Sequence, residues 1–160
     1  LDKIIIITHN FLPESVGGAS RVYEMAKLLQ RTYKVEIICP PPTFPFTKYK
    51  KANYLYHKES TNGISILRIW TFQPSKQNPS FFKRLLYYTM FPLLTSIFLF
   101  DRLQKASFVI ITTPPPSLLL TTLIVRFFRK RVVLDVRDLF TDSVSHLGYI
   151  NRKVILAKLT

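Results

Sequence analysis

The chain is poor in cysteine, glycine and acid. A single cysteine, Cys39, excludes an internal disulfide framework and any cysteine-rich metal site. Four glycines exclude collagen-like sequence. His9, His57 and His146 have no short ligand spacing, so a chain-local zinc motif is absent. Nine acidic residues stand against 23 lysines and arginines, a formal net charge of +14. Such a surface favours polyanions: phosphates, nucleic acid or an anionic membrane face. No charged n-region or cleavage site precedes the first strand, so no secretory signal peptide is expected.

What is present is a globular composition, 48% hydrophobic and 14% aromatic over 160 residues. That is enough for one domain with a real core, and it excludes a disordered tail. Lys3–Thr8 is a continuous β-branched run, the pattern of a strand buried on both faces. The loop His9–Gly18 follows, then a helix over Ala19–Arg31 with Val22, Ala26 and Leu29 on one face. Val35–Cys39 reads as a second strand, which makes a βαβ unit with a right-handed crossover. Pro40–Gly63 reads as a long irregular stretch, and Ile64–Trp70 as a third strand. Phe108–Thr112 and Val132–Val136 are the fourth and fifth. Between them Ser117–Phe128 reads as a buried helix with a basic end. The alternation predicts a Rossmann-like α/β fold: an open, mostly parallel sheet with helices on both faces. Asn151–Thr160 reads as an unfinished amphipathic helix, so residues 1–160 are expected to be a domain cut from a longer protein.

The segment from Ser80 to Lys105 is unusual. Leu85–Phe100 carries no charge, and apolar side chains surround the whole helix. Pro92 is expected to kink or break it. The run falls short of the roughly 20 residues a membrane span needs. A buried core helix and an interfacial helix, flanked by Lys83-Arg84 and by Arg102 and Lys105, both fit the pattern.

Ligands of such sheets bind beyond the carboxyl ends of the strands. The first loop there, His9–Ser20, carries the adjacent glycines Gly17 and Gly18 at a helix start, where free N–H groups attract phosphate. Its spacing is neither G-x-G-x-x-G nor a P-loop, and a plain tight turn also fits. The second, Asp135-Val-Arg137-Asp138 with Asp142, puts charged side chains at a strand end, where an Asp can act as base and an Arg can steady a leaving phosphate. Simple pairing of Arg137 with Asp138, or helix capping by Asp142, also fits. The third, Thr112–Pro116, suits a rigid cleft wall.

These loops together resemble a family. The Phe11-Leu-Pro-Glu-Ser-Val-Gly-Gly-Ala-Ser-Arg21 opening, the Lys105–Pro116 region and Val133-Leu-Asp-Val-Arg-Asp-Leu-Phe-Thr-Asp-Ser143 resemble, in order, the N-terminal domain of family 4 retaining glycosyltransferases of the GT-B fold. The third is similar to the subgroup acting on amino-sugar-containing, lipid-linked glycans. The resemblance implies an N-terminal acceptor-binding domain facing a donor-binding domain across a cleft. It implies transfer from a nucleotide-sugar donor to a lipid-linked or polysaccharide acceptor with retention, and no required metal. It assigns Gly17 and Gly18 to the donor diphosphate and Arg137 and Asp138 to catalysis. Many relatives carry His where Arg137 stands, and an Arg suits charge stabilisation better than proton transfer. The family's Glu-x7-Glu motif and donor domain are missing, so this chain alone is expected to be inactive.

With the charge and the aromatic helix, this reading implies a cytoplasmic protein peripheral to an anionic membrane. Phe81, Phe82, Lys83, Arg84 and Phe91 are expected to contact membrane or acceptor. A nucleic-acid partner is not expected, since no known binding motif appears and the basic residues are scattered. The alternative is a non-catalytic Rossmann-like nucleotide-binding or membrane-associated module.

Overall fold

The computed structural model describes residues 1–137. Six strands form one sheet: β1 (Lys3–Ile7), β2 (Lys34–Cys39), β3 (Tyr56–Thr61), β4 (Ile64–Ile69), β5 (Ala106–Thr113) and β6 (Arg131–Val136). Their order is β3-β4-β2-β1-β5-β6. All neighbours are parallel except β3, which is antiparallel to β4. Three α-helices cover the sheet: α1 (Gly17–Leu29), α2 (Phe81–Gln104) and α3 (Leu119–Phe127).

The period-two pleat of β1 explains its unbroken isoleucines. Ile4 and Ile6 pack with Val22 and Ala26 of α1, while Ile5 and Ile7 pack with Phe91, Leu99 and Leu103 of α2 and Val125 of α3. A strand covered on both faces needs apolar residues at every position. Full burial of each such side chain stabilises by roughly 1.5–3 kcal/mol.

Three expectations change. Pro40–Gly63 is not wholly irregular, because β3 forms a hairpin with β4. Its turn is Asn62-Gly63, with φ of 50° and 79°, the left-handed pair that a tight two-residue hairpin demands. Pro92 does not break α2, which runs unbroken over 24 residues. Proline removes the N–H that would bond the carbonyl of Tyr88, and the Ser117 hydroxyl donates to that carbonyl instead, at 2.6 Å. The α3 segment is shorter than expected, a 3-10 turn at Pro116–Leu118 leading into Leu119–Phe127. It is also only half covered. Thr121 and Val125 are buried, whereas Leu123 and Phe127 are 68% and 80% exposed. α3 lies toward one end of the sheet, against α2, β5 and β6. Asp138, Asp142 and the helix expected over Asn151–Thr160 lie outside the described residues.

Candidate functional site

β1 leads through α1 to β2 on one side of the sheet, while β5 lies on its other side. The gap between β1 and β5 is therefore a topological switch point, where open α/β sheets bind ligands at their carboxyl edge. The loops that follow β1 and β5 meet there with Arg137 at the end of β6.

The loop after β1 is held from below. Glu14 is 2% exposed, and its carboxylate accepts hydrogen bonds from the backbone N–H groups of Thr43 and Phe44, at 2.7 and 2.8 Å. Burial raises its pKa, with those two N–H groups pulling the other way. Arg68, on β4, donates to the carbonyl of Leu12 at 2.6 Å and of Pro40 at 3.2 Å, and pairs with Glu59 at 2.7 Å. One buried guanidinium thus ties the loops after β1 and β2 to the β3 hairpin. Gln73 adds a bond to the Thr43 hydroxyl at 2.9 Å, and Tyr49 donates to the Pro13 carbonyl at 2.9 Å. Sequence reasoning missed Glu14, Arg68 and Gln73, whose only signal was polar character inside otherwise loop or strand pattern.

This rim presents the start of α1. The helix has no side-chain cap and no acid in its first turn. The Val16 carbonyl takes the Ala19 N–H at 2.8 Å. A Cβ on Gly17 would meet nothing within 4 Å, so that position opens to free space. A Cβ on Gly18 would collide with the guanidinium of Arg137. Glycine at 18 leaves the room in which the Arg137 guanidinium lies directly against the helix backbone. Arg137 is positioned by its own N–H, which donates to the Thr113 carbonyl at 3.3 Å. The structure thus brings together Gly17, Gly18 and Arg137, three of the residues singled out in sequence. Arg21 of α1 pairs with Asp135 of β6, tying the same two elements, while Asp135 Oδ2 is buried without a partner. An uncapped helix start beside an exposed guanidinium is suited to an anionic group.

On the other side of β1, Pro114, Pro115 and Pro116 wall a mainly apolar cleft of about 440 Å³ with Asn10, Leu85, Tyr88, Thr89 and Ser117. His9 lies beneath, 1% exposed, its ring 4.6 Å from Tyr87, 5.1 Å from Tyr88 and 5.4 Å from Phe91 between centroids. Neither ring nitrogen has a hydrogen-bond partner. Burial lowers the His9 pKa to about 4, and weaker backbone and Asn10 contacts do not offset it. His9 is therefore a neutral packing residue at neutral pH, not an exposed base. Burial also raises the Tyr88 hydroxyl, with Arg84 opposing.

Phe81 and Phe82 are 82% and 70% exposed at the start of α2, next to the exposed Lys83 and Arg84. Phe91 is a correction. It is fully buried in the core against the sheet, so it has no surface to offer a membrane or acceptor. It lies on the opposite side of the helix from Phe82. Among the described residues there is no group of three or more His, Cys, Asp or Glu side chains able to hold a metal. No described helix is long and apolar enough to cross a membrane.

No protein-family model and no curated protein sequence matches the chain. Solved structures do. The catalytic domain of starch synthase IV from Arabidopsis thaliana, bound to ADP and acarbose, matches 86% of this chain with a TM-score of 0.57 and 13% identity. The chain spans 34% of that domain. The C-terminal domain of a hydrogenase from Pyrococcus furiosus matches 84% of this chain, and 91% of its own length, with a TM-score of 0.53 and 15% identity. At such identities the likeness shows the fold: a Rossmann-like α/β unit resembling part of a GT-B glycosyltransferase.

Proposed function

We propose that this chain is the acceptor-side domain of a GT-B glycosyltransferase. Such an enzyme transfers a sugar from a nucleotide-sugar donor to a lipid-linked or polysaccharide acceptor, with retention, at an anionic membrane surface. The observation that carries the proposal is the packing of Arg137 against Gly18 at the uncapped start of α1. Backbone N–H groups and a guanidinium converge where a donor diphosphate would gain charge as the sugar leaves. Stabilising that developing charge is the main task in such a transfer. Asp138, the other catalytic residue of this reading, adjoins Arg137 in sequence. The apolar cleft at Pro114–Pro116 is the surface offered to an acceptor. A separate donor-binding domain completes the site.

The test uses the scarcity of glycine. With four glycines in the chain, their amide NMR signals are easily followed. Titration with UDP or inorganic pyrophosphate is expected to move Gly17 and Gly18 and leave Gly63 in place. Weak binding that needs the diphosphate supports the donor-contact reading. Movement of neither glycine refutes it.

The second reading is a non-catalytic Rossmann-like module; the hydrogenase domain has this fold over nearly its whole length, a likeness of fold and not of function. A non-catalytic nucleotide-binding module would hold a nucleotide tightly in this chain alone, with no second domain. Tight binding in the same titration would favour it.

A further inference from the structure

The outward face of α2 belongs neither to the core nor to the anion site. At about 100° per residue, Phe82, Leu86, Leu93, Ile97 and Phe100 fall within about 60° of arc. Phe91, Thr95 and Leu99, on the opposite face, are buried against the sheet. Leu93, Ile97 and Phe100 are 57%, 70% and 59% exposed. A 24-residue helix is about 36 Å long, so this is a continuous apolar stripe rather than a scatter of single residues.

Charge identifies what covers it. From 81 to 131 the chain has eight lysines and arginines and one acid, Asp101. Lys83 stands about 40° from the edge of the stripe at one end, with Arg84 turned to the opposite face, and Lys105, Arg126 and Arg129 lie toward the other end, where Lys130 donates to the Gln104 carbonyl. A second copy of the chain would set these cations against each other. Anionic lipid headgroups would neutralise them, and the acyl region would receive the stripe.

We propose that α2 lies flat on an anionic bilayer along its whole outward face, with Leu93, Ile97 and Phe100 below the headgroups. This rests on the membrane-surface part of the function proposed above and deepens it: contact extends far beyond the Phe81-Phe82 tip. It also fixes orientation. The first half of α2 packs against His9 and Ser117 at the carboxyl edge of the sheet, so a flat α2 holds that edge beside the bilayer.

The test is co-sedimentation of the 160-residue chain with phosphatidylglycerol-containing vesicles and with pure phosphatidylcholine vesicles. Binding to the anionic vesicles alone is expected. The double variant Leu93→Gln, Ile97→Gln is expected to weaken it by about tenfold or more, with an unchanged melting curve because both positions are exposed. As an independent reading, Ile97→Trp in a Trp70→Phe background is expected to shift its emission to the blue on anionic vesicles. Undiminished binding of the double variant, or no emission shift, overturns the proposal. If Phe81→Ser with Phe82→Ser abolishes binding while the mid-helix pair does not, membrane contact at the tip stands and the flat orientation falls. If the unmutated chain does not bind anionic vesicles, both fall. If the free chain is a dimer that the double variant splits, the stripe is a contact between copies and the proposal is wrong.

Discussion

Replacing His9 by phenylalanine isolates one buried group whose behaviour follows from its surroundings. The imidazole titrates near 6.5 in an unfolded chain and at about 4 here, because burial among Tyr87, Tyr88 and Phe91 disfavours its charged form. Between those two values the unfolded chain binds more protons than the folded one. Stability from His9 is therefore fully present above about 6.5 and falls as the pH drops toward about 4. The whole loss is about 3 kcal/mol, and the part between about pH 7.5 and about pH 5 is about 2 kcal/mol. Glu14 acts in the opposite sense. Its raised pKa favours the folded state at low pH, and that contribution is lost as pH rises through the folded value. Glu14 is present in both proteins, so it cancels in their difference. Urea unfolding of wild type and His9→Phe at both pH values gives that difference directly. The variant is expected to gain about 2 kcal/mol on wild type on going to the lower pH. Phenylalanine also keeps the ring packing and removes two unpartnered nitrogens, so the variant should fold. A gap between the two proteins that does not change with pH would refute the burial argument. It would then show that His9 reaches solvent or a partner, and its exclusion as a site base would fail with it.

Three further outcomes follow from particular contacts. Arg68→Met removes the donor that ties Leu12, Pro40 and Glu59, and leaves their oxygens without it; a loss of about 3 kcal/mol in denaturant unfolding is expected, and a loss below about 1 kcal/mol would show that the rim is held by other bonds. Gly63→Ala forces a side chain into φ of 79° and should cost about 1 kcal/mol, whereas Gly17→Ala, facing open space at a helix start, should cost nothing by the same assay. Gly18→Ala should leave the melting temperature nearly unchanged, since the far end of the flexible Arg137 side chain can move aside; it should nonetheless weaken pyrophosphate binding, read by the shift of the Gly17 amide, and undiminished binding would separate Arg137 from the anion site.

The parallel strands were legible because their burial on both faces leaves a plain signature: Lys3–Ile7, Lys34–Cys39 and Ala106–Thr113 are runs of Ile and Val with little interruption. β3 was not, because Tyr-His-Lys-Glu-Ser-Thr is an edge strand whose faces are largely exposed and which shows no apolar alternation. Its one signal was the Asn62-Gly63 pair ahead of an alternating strand, which names a hairpin by turn chemistry alone. The glycines and Arg137 were found as separate motifs, 119 residues apart between Gly18 and Arg137, and only the sheet order brings them into contact. Glu14 and Arg68 went unnoticed for a different reason. Their partners are mostly backbone groups in loops, and no spacing in sequence encodes a carboxylate that accepts from two N–H groups some 30 residues away.

α2 shows where a sequence pattern stops deciding. Apolar residues at every angle of a helix say that it is buried all round or lies between two apolar phases, and periodicity cannot choose. The sheet chooses for one half. Phe91, Leu99 and Leu103 meet Ile5, Ile7 and Val109, and that face is core. On the other half Phe100 meets the ring of Phe128, 5.0 Å away between centroids, yet stays 59% exposed, and Ile97 is left 70% exposed. An exposed isoleucine at the middle of a polar stripe would need no account. One that continues the line from Phe82 through Leu93 to Phe100, on a helix with no charge from Leu85 to Phe100, does need one. The same residues that made the segment ambiguous in sequence are therefore divided by the fold into a face that stabilises the domain and a face free to bind. The basic ends of α2 and α3 then favour an anionic partner for the free face over a like-charged one.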